Sequence, residues 1–231
     1  MRYRGRWLLW AFSLLTGALL LLQAWYAVHI WWWRDHPPRE TAFMAMRLAE
    51  IHAKRPDARI AYIWIPYERI SVQIKRAMIA AEDAKFIEHE GFDWDGIQQA
   101  IEKNARRGRV VAGGSTITQQ LAKNLFLSSQ KSYWRKTEEA LITVMLEVML
   151  DKRRIFELYL NVIELGEGVF GSEAAAEHYY GVGAGALTAE QAARLAAMAP
   201  NPRYYEKHPG AQGLARKVQI ILARMPAAEL P

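Results

Sequence analysis

Three clusters in this chain combine residue types and spacing that suit chemistry. The first is Glu82-Asp-Ala-Lys-Phe86-Ile-Glu-His89-Glu-Gly91-Phe-Asp93. On a helix, the i, i+4, i+7 spacing puts Glu82, Phe86 and His89 on one face and turns Asp83 away. A carboxylate packed beside an aromatic ring has a raised pKa, as a general base or acid near neutrality needs. Spacing alone is equally met by a surface helix with solvated acids, and that is the simpler reading. The second cluster is Gly113-Gly-Ser-Thr116-Ile-Thr-Gln119-Gln120-Leu-Ala-Lys123-Asn124. Glycines admit close backbone approach, and a helix opening just after them offers free N–H groups to anions. Thr116, Gln120 and Lys123 then share one face, opposite Ile117, Leu121 and Leu125. A hydrogen-bonding stripe ending in lysine suits a phosphate or a polyol, and an amphipathic helix after a loop fits as well. It is not a nucleotide P-loop, because the lysine does not follow the glycine directly. The third cluster is Arg135-Lys136-Thr-Glu138-Glu139, where Arg135 and Lys136 lie four and three residues before Glu139. Cations so placed keep a carboxylate ionised, although an ordinary surface ion pair has the same spacing.

Helices must carry these clusters. Thr41 to Lys54 reads as a short helix, and Arg59 to Pro66 as the one strand-like run. Ser71 caps a helix with Ile74, Met78 and Ala81 on one face. Asp93 caps the next, with Trp94, Ile97 and Ile101 expected inward. Residues 105–115 are basic, then glycine-rich, and read as a loop. A helix follows from Thr116. Another spans Tyr133 to Leu150, with Leu141, Val144, Met145 and Val148 as its apolar stripe. Asp151 caps a further helix, Thr188 with Gln191 forms a capping box, and Pro200 and Pro202 end that segment. A last amphipathic helix covers about residues 211–225. Gly166-Glu-Gly168-Val-Phe-Gly171 matches G-x-G-x-x-G, but no alternating strands and helices surround it, so the glycines read as turns. The histidines show no zinc spacing, and no metal ligands are assigned.

The chain has 231 residues and a net charge of +6. Arg2, Arg4 and Arg6 carry half of that excess, so the basic balance does not point to nucleic acid. There is no cysteine, which excludes disulfides and a thiol nucleophile. From Trp7 to Trp33 there is no formal charge, and tryptophans gather at both ends. As a helix this stretch spans about 40 Å, enough to cross the hydrocarbon core. It reads as a retained anchor with an aromatic belt, and the leading arginines place the N-terminus in the cytoplasm. The alternative, a cleaved signal peptide, fits poorly with so long an apolar run. The expected division is a tail at 1–6, an anchor at 7–33, a linker with a short helix at 34–58 and a mostly helical domain at 59–231.

In this order, the clusters resemble the motifs of the glycosyltransferase family 51 peptidoglycan glycosyltransferases. EDAKFIEHEGFD is similar to the first motif and GGSTITQQLAKN, nearly residue for residue, to the second. RKTEEA resembles the third, RRIFELYLNVIELG the fourth, and Leu187 to Arg203 a looser fifth. With one anchor, the chain resembles the monofunctional members. The resemblance implies a mainly α, lysozyme-like domain, with a head and a membrane-near jaw, after one transmembrane helix. It implies polymerisation of lipid II, with inversion and release of undecaprenyl diphosphate, at the outer face of the bacterial inner membrane. The catalytic domain is then periplasmic. It makes Glu82 the catalytic base and Glu139 the second essential carboxylate, with Lys123, Arg135 and Lys136 stabilising the leaving diphosphate. Asp83, Phe86, His89, Thr116, Gln119, Gln120 and Asn124 match positions that line or support the cleft. Arg106, Arg107 and Arg109 fall in a segment that is either a solvated loop or a contact for anionic head groups. Glu206-Lys207-His208 departs from the fifth motif. No cofactor is required, and a divalent ion (Mg or Mn) is allowed beside the diphosphate. Expected partners are lipid II, the growing strand, the membrane and proteins of the division or elongation machinery, with no nucleic acid. The competing readings are a lysozyme-like lytic enzyme and a catalytically silent cell-wall scaffold.

Overall fold

The computed structural model describes residues 2–109, 113–127 and 132–231, with the side chains of residues 2–6 and 8 left aside. Helix α1 (Arg2–Trp33) contains Leu9–Trp33, 25 residues of mean hydropathy 1.6, and is long and apolar enough to cross a membrane. Its last turns do not stand free. Tyr26, Ile30 and Trp33 are buried, and Trp25, Tyr26 and Trp33 pack their rings around Phe126. Arg154 donates from Nε to the Trp33 carbonyl and from Nη2 to that of His36, each at 2.8 Å. These bonds hold the exit of α1 against the body of the protein.

Helix α2 (Ala42–His52) starts at Thr41, whose Oγ1 accepts from the Met44 N–H. The strand expected over Arg59–Pro66 shrinks to β1 (Ala61–Tyr62). Helix α3 (Val72–Glu82) begins at the expected Ser71 cap and buries Ile74 and Met78. Helix α4 (Trp94–Arg107) begins at Asp93, but its expected inner face is wrong. Trp94 and Ile101 are exposed, and Ala100 is the buried position. The helix is amphipathic with a small inward residue, so its large apolar residues were misread as core. It also consumes much of the expected loop, running to Arg107 and stopping at Gly108 in the left-handed conformation. Residues 110–112 of that loop lie outside the described residues.

Helices α5 (Ile117–Phe126), α6 (Tyr133–Met149) and α7 (Lys152–Val162) pack together as the centre of the fold. In α6 the expected stripe faces outward. Leu141, Val144 and Val148 are exposed, whereas Glu139, Ile142, Thr143 and Leu146 are buried. Strands β2 (Glu164–Gly166) and β3 (Val169–Phe170) form a hairpin, and β1 joins β3 in parallel with Ala61 opposite Val169. The G-x-G-x-x-G stretch is this hairpin and the start of α8 (Gly171–Tyr180). Gly171 has φ +83°, and a Cβ there would lie 2.4 Å from the Asn161 carbonyl oxygen. Helices α9 (Ala189–Met198), α10 (Pro202–Lys207) and α11 (Gln212–Arg224) follow, and α9 packs between α3 and α11. Thr188 and Gln191 complete the expected capping box. Among the described residues the architecture is mainly α, as expected, and the β2–β3 hairpin that completes a small three-stranded sheet goes beyond the one strand-like run read from the sequence.

Candidate active site

Glu82 is the last residue of α3. The helix does not continue, so Phe86 and His89 do not reach the Glu82 face through helical periodicity. Instead Asp83, at φ −161° and ψ 77°, turns the chain. The turn separates two adjacent carboxylates. Asp83 is buried against the start of α5, where its Oδ2 accepts the Ile117 N–H at 3.0 Å and its Oδ1 pairs with His89 Nε2 at 2.9 Å. A helix N-terminus favours that negative charge. Glu82 lies at the opposite kind of helix end, where carbonyl oxygens gather. Its carboxyl is closely surrounded by protein but still partly accessible from a groove. Burial, as the leading cause, pushes the Glu82 carboxyl above its ordinary value. A hydrogen bond from Gln120 opposes this most strongly, followed by the charges of Lys217 and Lys123. That bond runs from Gln120 Nε2 to Glu82 Oε2 at 2.7 Å.

Helix α5 delivers the other wall. Thr116 caps it, with Oγ1 accepting the Gln119 N–H at 3.2 Å while Gln119 Oε1 accepts the Thr116 N–H at 3.1 Å. The Thr116 hydroxyl also donates to the Gly91 carbonyl at 2.7 Å. Gly91 has φ +84°, and a Cβ there would meet Thr143 Cγ2 at 2.7 Å, so the residue is fixed for space and conformation. One turn past Gln120, Lys123 faces the groove. Burial pulls its ammonium down from the ordinary lysine value, Glu139 resists that, and Arg135 adds to it. Lys123 has no hydrogen bond or ion pair among the described residues, and its Nζ lies 5.8 Å from the Phe43 ring centre. Glu139 on α6 is only 4% exposed, so it is no surface ion pair. Its Oε2 accepts from Arg135 Nη1 at 2.6 Å, and its Oε1 from Lys136 Nζ.

The groove encloses about 440 Å³ and is bordered by Glu82, Gln120, Lys123, Arg135, Lys136 and Glu139, with Phe43, Ser115, Gln119, Ala199 and Pro200. Two carboxylates in contrasting environments and three cations thus share one space. Over residues 49–226 the chain matches the Transglycosylase family. The chain belongs to that family. It is 61% identical over 233 residues to a biosynthetic peptidoglycan transglycosylase from Dechloromonas aromatica, spanning the whole of both chains. A protein of the same name from Chromobacterium violaceum is 60% identical over 94% of this chain and 95% of its own length. Another, from Methylobacillus flagellatus, is 60% identical over 97% and 98%.

Of the residues singled out from the sequence, Glu82, Gln119, Gln120, Lys123, Arg135, Lys136 and Glu139 meet in the groove. Asn124 faces a side cavity. Thr116 and Asp83 border a second extension that runs from Glu82 over Gly113 and Gly114 toward Arg224. Phe86 and His89 stand behind the site. Phe86 is buried against Phe156, and the backbone carbonyl of His89 accepts from Lys152 Nζ at 2.5 Å. Phe43 and Lys217 were missed. Phe43 sits on α2, the short helix expected in the linker segment, to which no part of the site was assigned. Lys217 is on α11, two turns of which carry the buried Leu214 and Ile221. Nothing in an amphipathic helix marks one lysine as near enough for its charge to act on a carboxylate 135 positions earlier in the chain. Glu206, the departure in the fifth motif, is structural: it accepts the Glu167 N–H at 2.7 Å and pairs with His178 at 3.0 Å, securing the β2–β3 turn.

The donor set does not form a ready divalent-ion site. Both Glu139 oxygens are held by cations, Glu82 is bonded to Gln120, and no group of three or more His, Asp or Glu is gathered among the described residues.

Proposed function

We propose that the chain is a peptidoglycan glycosyltransferase that polymerises lipid II into glycan strands. The carrying observation is the groove that joins a burial-raised Glu82 to the Lys123–Arg135–Lys136 cations held around Glu139. Glu82 takes the proton from the 4-hydroxyl of the incoming lipid II. That oxygen attacks the anomeric carbon at the reducing end of the growing strand, and a C–O bond forms as the bond to the diphosphate breaks. Attack from the face opposite the leaving group inverts the configuration. The proton rests on Glu82 and passes to solvent. Negative charge grows on the departing undecaprenyl diphosphate, where Lys123, Arg135 and Lys136 stabilise it. Glu139 fixes the positions of two of these cations, which prevents them from turning to solvent. A magnesium or manganese ion, if it takes part, travels with the diphosphate rather than in a protein site.

Helix α1 is read as a single-pass anchor in the bacterial cytoplasmic membrane, with residues 1–6 cytoplasmic and the catalytic domain periplasmic. Both substrates carry polyprenyl tails, so a tethered groove meets them within the plane of the bilayer. Leu125 and Leu127 are buried, and Phe126 packs on α1. The outward Trp134, Leu141, Val144 and Val148 of α6, beside α1, are instead the surface that meets the leaflet. Proteins of the division or elongation machinery are the fitting partners for such an enzyme.

The test is polymerisation of labelled lipid II by the full-length protein. Glu82→Gln keeps the fold and lipid binding and makes no polymer. Near-normal turnover by that variant removes Glu82 from the role of base. Consumption of purified glycan in place of lipid II supports the lytic reading.

A further inference from the structure

A cavity outside the main groove has the composition of a sugar site. Phe92 and Trp94 flank the start of α4, and their rings stack with centres 5.5 Å apart and planes at 20°. Phe92 is half-buried and backs the indole, whereas Trp94 is 71% exposed. Beside them lies a cavity of about 190 Å³, bordered also by Glu88, Asp93 and Asp95. The Glu88 carboxylate is exposed and makes no hydrogen bond or ion pair among the described residues, and Asp95 pairs with Lys85 at 3.3 Å. A lone exposed tryptophan is ordinary, but one backed by a second ring and edged by hydrogen-bond acceptors marks a binding surface.

This cavity adjoins the active site. Asp93 borders it on one side and, on the other, the extension that reaches Glu82. His89 borders it too, and its Nε2 bonds Asp83, which lines that same extension. A chain that passes Glu82 along Gly113 and Gly114 therefore meets the Trp94 ring beyond Asp93.

The charge selects the ligand. Around Trp94 stand three carboxylates and one lysine, the reverse of the balance in the main groove, where Lys123, Arg135 and Lys136 outnumber the two glutamates. A diphosphate is repelled there, and so is an anionic lipid surface. A pyranose ring is neutral; it lays its C–H face on an indole and donates its hydroxyls to carboxylates. Of the two partners in the proposed reaction, the incoming lipid II carries a diphosphate directly after its second sugar, whereas the growing strand continues as a neutral sugar backbone. We propose that Trp94, backed by Phe92, is a saccharide-stacking exosite for the older part of the growing strand, and that it keeps the strand on the enzyme between additions. The proposal rests on the reading of the chain as a lipid II polymerase.

Two measurements on the full-length protein test it. The first needs no turnover: calorimetric binding of a neutral β-1,4-linked N-acetylglucosamine hexamer to the detergent-solubilised protein. Trp94→Ala weakens binding about fivefold, the order of one lost aromatic contact, and Trp94→Tyr restores most of it. The second is the length of the polymer made from labelled lipid II in proteoliposomes. Trp94→Ala makes shorter strands, while the first coupling of two lipid II molecules keeps its rate, because a donor of two sugars does not reach the exosite. Equal hexamer binding or equal strand length in wild type and Trp94→Ala overturns the proposal. A first coupling slowed as much as elongation overturns it as well, by placing Trp94 on the incoming lipid. A spin label at Asp95→Cys is more accessible to a polar nickel chelate than to oxygen; the reverse order puts the platform in the leaflet and also overturns it. Failure of the polymerase reading looks different: the wild type then makes no polymer from lipid II, and a site for a growing strand falls with it. Failure of the exosite alone leaves wild-type polymerisation intact and shows only in the comparison with Trp94→Ala.

Discussion

The hydrogen bond from Gln120 to Glu82 sets the pH at which the proposed base can act. A base works deprotonated, so activity falls as the pH drops through its folded-state pKa. Burial raises that value, and the Gln120 amide is the strongest influence bringing it back down. Gln120→Leu removes the donor and keeps the approximate volume. The carboxylate then loses a bond of 2.7 Å, while the protonated form loses little. A hydrogen bond to a charged group is worth about 1.5–3 kcal/mol. Glu82 is partly accessible from the groove, so the lower end applies, about tenfold in its protonation equilibrium. The acid limb of the kcat/KM profile on lipid II therefore moves to higher pH. At a fixed pH on that limb, the variant loses about tenfold beyond its deficit on the plateau. The position of the limb is the useful readout, because lost substrate contacts lower the plateau without moving it. Tyr159, whose hydroxyl lies 3.4 Å from Gln120 Oε1, offers a milder probe through Tyr159→Phe. An acid limb that stays in place, or moves to lower pH, means that Glu82 is not the titrating base.

Lys217→Met also moves the acid limb to higher pH, since the Lys217 charge lowers the Glu82 pKa, and Lys217→Arg restores it; an unchanged profile in both would show that α11 does not act on the base. Arg47→Ala leaves Glu164 buried without its partner and costs about 3–5 kcal/mol, measured by denaturation in detergent, whereas Arg47→Met with Glu164→Leu recovers much of the loss. The Glu164 carboxyl is already raised, chiefly by burial, with Arg47 holding it down. A raised acid favours the folded state at low pH and loses that contribution as pH rises through its folded value, so the Arg47→Ala deficit shrinks on acidification. A pH-independent deficit would place its origin elsewhere. Because the chain has no cysteine, Val148→Cys gives a unique spin-label site on the outward face of α6, where Val148 is 79% exposed. In proteoliposomes that label is more accessible to oxygen than to a polar nickel chelate, and the reverse order would take α6 out of the leaflet.

Much of the helical framework was legible because its signals are local. Ser71, Asp93, Thr116, Asp151 and Thr188 all cap the helices that their positions indicated, since a capping side chain and its N–H lie three residues apart. The Arg135, Lys136 and Glu139 cluster was legible for the same reason, one helical turn bringing its members together. The misreadings have a common cause. The stripe Leu141, Val144, Val148 on α6 and the pair Trp94, Ile101 on α4 are apolar and periodic, but outward. Periodicity detects an apolar face without saying which solvent or neighbour it meets. A face turned to lipid and a face turned to a core give the same pattern.

The sequence by itself determined the chemical inventory: a glutamate beside an aspartate on a helical stretch, a glycine-led polar helix, a cation-held carboxylate and an apolar segment long enough to span a bilayer. Short-range backbone and capping energetics are enough to settle those. Only the tertiary structure decided that the chain breaks after Glu82, sending Asp83 into α5 and leaving Glu82 at the groove. Only it brought Gln120, Lys217 and Phe43 to that carboxylate's surroundings and made α2, expected as a short helix in the linker segment, a wall of the groove. Those placements depend on how helices distant in sequence pack, and the raised Glu82 pKa follows from the burial that this packing creates.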